Sequence, residues 1–192
     1  MRSTTTSIVD LLPAATSQID EIASFLFECF RRYSPSWVPD IASCKAEVMA
    51  SFHPQQKSRV LLDSQGQAIG WIGAIQFTNL WEIHPIAVDP SHQGHGHGRL
   101  LVDDIVSLAR AAGAVSVWAG TGDETQVTGF SHIELPLPPD IDCSLLAAPA
   151  DHPVNFWRHM GFNLVAVTPD DGPDVVGIHF AKNIEQHDRT DV

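Results

Sequence analysis

Residues 81–101, WEIHPIAVDPSHQGHGHGRLL, constrain this chain more than any other stretch. Residues 81–88 carry the apolar and β-branched pattern of a strand. Asp89-Pro90 ends that strand, because proline cannot donate to a ladder. Gly94, Gly96 and Gly98 then supply a turn whose backbone can take positive φ and come close to a ligand. From about Gly98 the apolar residues Leu100, Leu101, Ile105, Leu108 and Ala109 recur at helical spacing, and Gly113 suits the helix end. A glycine turn running into a helix N-terminus makes a nest of backbone N–H groups for an anion. Two common phosphate loops do not fit. The glycine spacing is not GxGxxG, and no lysine stands where GxxxxGK[ST] requires one. A plain tight turn is the remaining alternative.

The flanking chain predicts one mixed α/β domain over residues 1–184, followed by a polar tail over 185–192. Strands are expected at 7–13, 59–63, 68–77, 81–88, 115–119, 162–168 and 174–181. A first helix runs through the apolar positions Ile19, Ile22, Ala23, Phe25, Leu26, Cys29 and Phe30, with Thr16 or Ser17 as its cap and acidic Asp20 and Glu21 at its start. A second helix covers 41–51, after a loop that carries Tyr33 and Trp37. A short one covers 153–159 and ends at Gly161. Residues 125–151 are the least regular part, because prolines 136, 138, 139 and 149 exclude a long helix or central strand.

Composition narrows the partners. A net charge of −12 opposes nucleic acid and suits a cationic small molecule. Cys29, Cys44 and Cys143 are three in number and widely spaced, which reads as free thiols in the cytoplasm rather than a disulfide framework. No signal peptide is expected, and no apolar run approaches the roughly 20 residues that span a bilayer.

Gln93-x-x-Gly96-x-Gly98 matches the Q/R-x-x-G-x-G/A motif of the GNAT acetyltransferases. Four further segments resemble the aminoglycoside 6′-N-acetyltransferase branch of that superfamily. They are Gly70-Trp-Ile-Gly-Ala-Ile75, Trp81-Glu-Ile-His-Pro85, Gly120-Thr-Gly-Asp-Glu124 and His152-Pro-x-x-Phe-x-x-x-Gly-Phe162. The resemblance spans about residues 7–183. It implies a single GNAT domain with a mixed, mostly antiparallel sheet and helices on both faces. It also implies acetyl-CoA as co-substrate and direct acetyl transfer to the 6′-amine of an aminoglycoside. Gln93, Gly94, His95, Gly96, His97, Gly98 and Arg99 are then the pyrophosphate cradle, and Ile86, Ala87 and Val88 pair with the pantetheine arm. A homodimer is common among such proteins, and the 125–151 loop is placed to take part. The alternatives are a GNAT enzyme for another amine, such as a polyamine or peptide N-terminus, and a non-catalytic acyl-CoA-binding module.

Amine acylation assigns work to the remaining polar residues. The acceptor is an ammonium at neutral pH, and only its free base attacks a thioester. Glu82 and His84 lie two apart on a strand and so share one face. Either can take the proton. The resemblance favours Glu82 as the substrate-binding carboxylate, while His84 can polarise the acetyl carbonyl or order water. The backbone N–H near Ile86 is placed to meet charge developing on that carbonyl oxygen. Asp123 and Glu124 are read with Glu82 as an acidic wall for the acceptor, and Asp140, Asp142 and Asp151 as possible additions. Trp37 suits a sugar ring, or packing. The tyrosine that many relatives use as a general acid falls at Trp157 here, and Tyr33 is far from that motif in sequence. His92, His95 and His97 lack the companion ligands of a closed metal site, so no metal is expected. Trp118, Trp157 and Phe162 are read as core.

Overall fold

The computed structural model describes residues 6–132, 143–170 and 175–185. Its elements are β1 (Ser7–Asp10), α1 (Thr16–Phe30), α2 (Ile41–Ala50), β2 (Gln56–Leu62), β3 (Ala68–Gln76), β4 (Leu80–Val88), α3 (His97–Ala111), β5 (Ser116–Gly122), α4 (Pro153–His159), β6 (Asn163–Pro169) and β7 (Val176–Asn183). The strands form one sheet in the order β1-β2-β3-β4-β5-β7-β6, in which only β4 and β5 run parallel. The expected mixed, mostly antiparallel sheet is therefore present. Helices cover both faces. Ile19, Ile22, Leu26, Cys44 and Val48 from α1 and α2 pack with Trp71 and Ala87 on one side. Leu101, Ile105, Val154 and Trp157 from α3 and α4 pack with Trp81, Ile83 and Phe180 on the other.

Most element ends follow local chemistry. Asp40 caps α2, its carboxylate accepting from Ser43 N at 2.7 Å. His152 caps α4 through Nδ1, and Pro153 takes the first helical position. The cap expected for α1 is not made. Ala15 holds that position with no side-chain bond, and Thr16 already lies within the helix. Ser17 Oγ instead donates to Glu21 at 3.3 Å, and Glu21 accepts Ala68 N at 2.7 Å, tying the helix to β3. β5 runs three residues beyond the expected end at 119, because its pairing with β7 continues to Gly122↔Gly177. In the irregular region, short 3-10 turns at Gly129–His132 and Cys143–Leu146 sink Phe130 and Leu146 into the core. Asp140, Asp142, prolines 136, 138 and 139, residues 171–174 and residues 186–192 lie outside the described residues.

A bulge in the β3–β4 ladder organises the middle of the sheet. Ile72 pairs with Ile86 and Ala74 with Ile83, so Gly73 alone faces His84 and Pro85. The extra residue changes the phase of β4. Before it, Trp81 and Ile83 point into the α3/α4 core. After it, Val88 does so and Ala87 faces α1. Gly73 has no alternative here, since a Cβ would stand 2.4 Å from the His84 carbonyl oxygen. Gly73→Ala is expected to cost about 2–3 kcal/mol. Chemical denaturation measures this, and a loss under about 0.5 kcal/mol would show that the bulge relaxes freely.

Candidate active site

β4 and β5 pair only over Leu80–Ile83 and Ser116–Ala119. β4 continues to Val88 while β5 stays with β7 to Gly122. The two strands therefore part. Residues 84–88 keep β3 on one side and have no strand on the other among the described residues. This leaves a cleft with backbone N–H and C=O groups along one wall.

At the C-terminal end of β4, Asp89 caps a short 3-10 turn through Ser91 N at 2.8 Å. The glycine turn follows. Gly94 and Gly96 have φ of 77° and 83°, and nothing lies within 4 Å of a Cβ placed on either. Gly96 leads directly into α3 without a side-chain cap. The first N–H groups of α3 have no intrahelical acceptor. The turn is thus open, left-handed at two positions and lined with free donors, which fits a phosphate group. Phe156 of α4 reaches over it, 3.0 Å from where a Gly98 Cβ would stand.

Gln93 serves this turn from behind. Its Nε2 donates to Val88 O at 3.0 Å, and its own N–H bonds the Pro90 carbonyl. Cys29 Sγ of α1 donates to the same Val88 oxygen at 3.2 Å, and burial pushes that thiol up to about 11. Two corrections follow. Gln93 braces the cradle instead of facing a phosphate, and the Val88 carbonyl is already taken. Ile86 and Ala87 accept no such side-chain donor among the described residues. His95 and His97 both direct Nδ1 at His92 O, at 3.3 and 3.1 Å. No group of three or more potential metal ligands converges among the described residues. Arg99 is exposed on the first turn of α3.

On the acceptor side, Glu82 is half-buried and His84 is exposed, and they share the face turned toward α2. The Trp37 ring stands edge-on to His84 with centroids 5.4 Å apart, and is itself packed on Phe30. Glu47 of α2, which no sequence motif marks, lies 3.4 Å from His84 Nε2. Its hydrogen bond holds His84 above the ordinary histidine value, against burial and with help from the Glu47 and Glu82 charges. Trp118 pairs with Glu82 in register on β5 and is 38% exposed on that face, so it is not the core residue expected. Trp157 and Phe162 are core, as read.

The acidic wall needs a larger correction. Asp123 is fully buried. Its carboxylate accepts from Val127 N, Thr128 N, Thr128 Oγ1 and Ser131 Oγ at 2.6–3.1 Å. It organises the segment after β5 and has no surface to offer a substrate. Burial would raise its pKa, but these bonds outweigh that and hold it below the ordinary value. Glu124 remains half-exposed, with one oxygen accepting Ser36 N at 2.9 Å beside Trp37. Asp151 pairs with Arg32. Tyr33 stacks edge-on against His152, centroids 5.2 Å apart, so the loop bearing it touches the start of α4 despite the distance in sequence. Trp157, buried and without an acidic proton, cannot replace a tyrosine acid.

The comparisons with known proteins agree with this geometry. Residues 19–129 match the model of the acetyltransferase (GNAT) family. A search of curated proteins finds no match. Among solved structures, an aminoglycoside 6′-N-acetyltransferase complexed with coenzyme A superposes with a TM-score of 0.77 at 24% identity, covering 93% of this chain and 97% of that one. The aminoglycoside 6′-N-acetyltransferase from Enterococcus faecium gives a TM-score of 0.74 at 24% identity and the same coverage. An N-acetyltransferase from Staphylococcus aureus Mu50 gives 0.64 at 12% identity, over 94% of this chain and 99% of that one. These likenesses establish the fold. With more than half its length matched by the family model, the chain belongs to the GNAT acetyltransferases, whose acetyl donor is acetyl-CoA.

Proposed function

We propose that this acetyltransferase modifies the 6′-amine of aminoglycosides. The observation that carries this reading is the acceptor side of the cleft. Glu82 and Glu124 stand around Trp37, His84 and Trp118, beside the β4 edge, with Glu47 behind His84. Carboxylates interleaved with partly exposed rings suit a polycationic sugar, because the acids bind ammonium groups and the rings cover apolar sugar faces. The chain's charge of −12 draws such a substrate in. Similar structures include enzymes named for this activity.

Residues 94–99 would hold the pyrophosphate of acetyl-CoA through backbone N–H groups, and Ile86 and Ala87 its pantetheine arm. Glu82 binds the acceptor ammonium. After a proton leaves the nitrogen, the amine attacks the thioester carbonyl. The N–C bond forms, the C–S bond breaks, and the coenzyme thiolate takes a proton from solvent. The N–H near Ile86 meets negative charge on the carbonyl oxygen. The free thiols of Cys29, Cys44 and Cys143 suit the reducing cytoplasm.

Acetylation by mass spectrometry across kanamycin, tobramycin, spermidine and a free peptide N-terminus tests this reading. Turnover of the two aminoglycosides, with the product acetylated at the 6′ nitrogen by NMR, is expected. Turnover of spermidine or the peptide alone would move the assignment to another amine. Coenzyme binding by calorimetry without turnover of any amine would replace it with a non-catalytic one.

A further inference from the structure

Glu47 stands in an unusual position. It projects from α2 between the buried residues Cys44 and Val48, and its side chain is only 25% exposed. Among the described residues no lysine, arginine or backbone N–H is bonded to its carboxylate. Its one polar side-chain partner is His84 Nε2 at 3.4 Å. A shielded carboxylate stabilised by neither cation nor donor raises its own energy, unless the neighbouring imidazole supplies an N–H. His84 is held from three directions. Trp37 covers one side of its ring, its carbonyl is pressed against Gly73 in the bulge, and Glu47 meets Nε2.

We propose that Glu47 is a positioning residue for His84, holding Nε2–H so that the neutral imidazole keeps Nδ1 as the acceptor for the amine's proton. This rests on the reading of the cleft as an amine-acylating site. Nδ1 has no bonded partner among the described residues. An imidazole whose one nitrogen is pinned as a donor must present the other as an acceptor. The proton balance closes. The ammonium nitrogen gives its proton to Nδ1, Glu47 stabilises the resulting imidazolium, and the freed amine forms the N–C bond. His84 later loses that proton to solvent. Glu82 keeps its role as binder of the ammonium, so the two acidic groups divide the work. The charged groups that face His84 are Glu47 from α2 and Glu82 from β4 itself, while Trp37 contributes none. Both charges favour the imidazolium, and the base form is present only above a pKa higher than the usual histidine value.

The test compares wild type, Glu47→Gln and Glu47→Asp. Nitrogen NMR of His84 reads its tautomer and titration directly, without any substrate. The Nε2–H tautomer is expected in wild type, and Glu47→Gln should move the titration to lower pH. With an amine that wild type acetylates, kcat should fall about 10-fold or more in Glu47→Gln. The acid limb of kcat/KM should move to lower pH, KM for acetyl-CoA should hold, and Glu47→Asp should recover part of the rate. A Nδ1–H tautomer, an unmoved titration, or an aspartate variant no better than the glutamine variant overturns the proposal. So does a loss of rate that merely tracks a loss of thermal stability. If wild type acetylates no aminoglycoside but does acetylate another amine, the substrate reading fails while the Glu47 assignment is still decided by the NMR and that amine.

Discussion

Glu82→Ala is expected to raise KM for the acceptor amine by about 10- to 100-fold, with the affinity for acetyl-CoA unchanged. The magnitude is that of one charge-assisted hydrogen bond, about 1.5–3 kcal/mol, lost from a partly desolvated site. The selectivity comes from position. Glu82 lies in the β4 segment still paired with β5, facing α2, whereas the phosphate turn begins beyond Val88. The substitution removes a charge from one wall of the cleft and leaves the N–H cradle intact. Steady-state kinetics with each substrate varied, together with calorimetry for the coenzyme, separates the effects. Equal weakening of both substrates would mean that Glu82 shapes the cleft instead of binding the amine.

Asp123→Ala is expected to destabilise the fold by about 2–4 kcal/mol, a drop of roughly 5–15 °C in Tm for a chain of this size. Its four donors, two backbone N–H groups and two hydroxyls, would be left facing a void in a fully buried region. The same cluster makes stability sensitive to acid. His152, buried with Nε2 3.8 Å from Asp123, is held below the ordinary 6.5 first by burial, with the Asp123 and Asp151 charges opposing. A histidine whose folded pKa is lowered contributes fully above its unfolded value, and that contribution is lost as the pH falls below it. The Asp123 carboxylate, also lowered, gives up its share only below the ordinary carboxylate range near 3.8. Wild-type stability should therefore begin to decline just under pH 6.5 and fall again only below the ordinary carboxylate value of 3.8. Urea titrations at a series of pH values measure this, and a flat profile from pH 7 to 5 would show that His152 accepts a proton without strain.

The architecture was largely legible, because each element carried its own period and punctuation. The glycine turn was legible too, since few sequences place three alternating glycines between a strand and a helix. What escaped was whatever depends on where a side chain finishes after the chain has folded. Asp123 sits in a glycine-rich turn and looks solvated, yet the hydroxyls of Thr128 and Ser131 close over it. Trp118 looks like core, yet α1 and α2 cover the sheet only as far as β4. Glu47 belongs to an ordinary helical pattern, and only the packing of α2 beside β4 brings it to His84. Tyr33 and His152 are 119 residues apart and touch. Local pattern encodes the elements; the partner of a carboxylate is decided by tertiary contact.

The parting of β4 from β5 also bears on how the molecule keeps its two halves together. Along residues 84–87, backbone groups that a neighbouring strand would satisfy elsewhere in the sheet face the cleft, while the Val88 carbonyl is held by Gln93 and Cys29. On the proposed reading the donor substrate would act as a removable strand, filling the seam between the β1–β4 half and the β5–β7 half. Donor binding there would make cohesion across the seam rise with donor concentration, an effect read as a Tm that climbs with added acetyl-CoA.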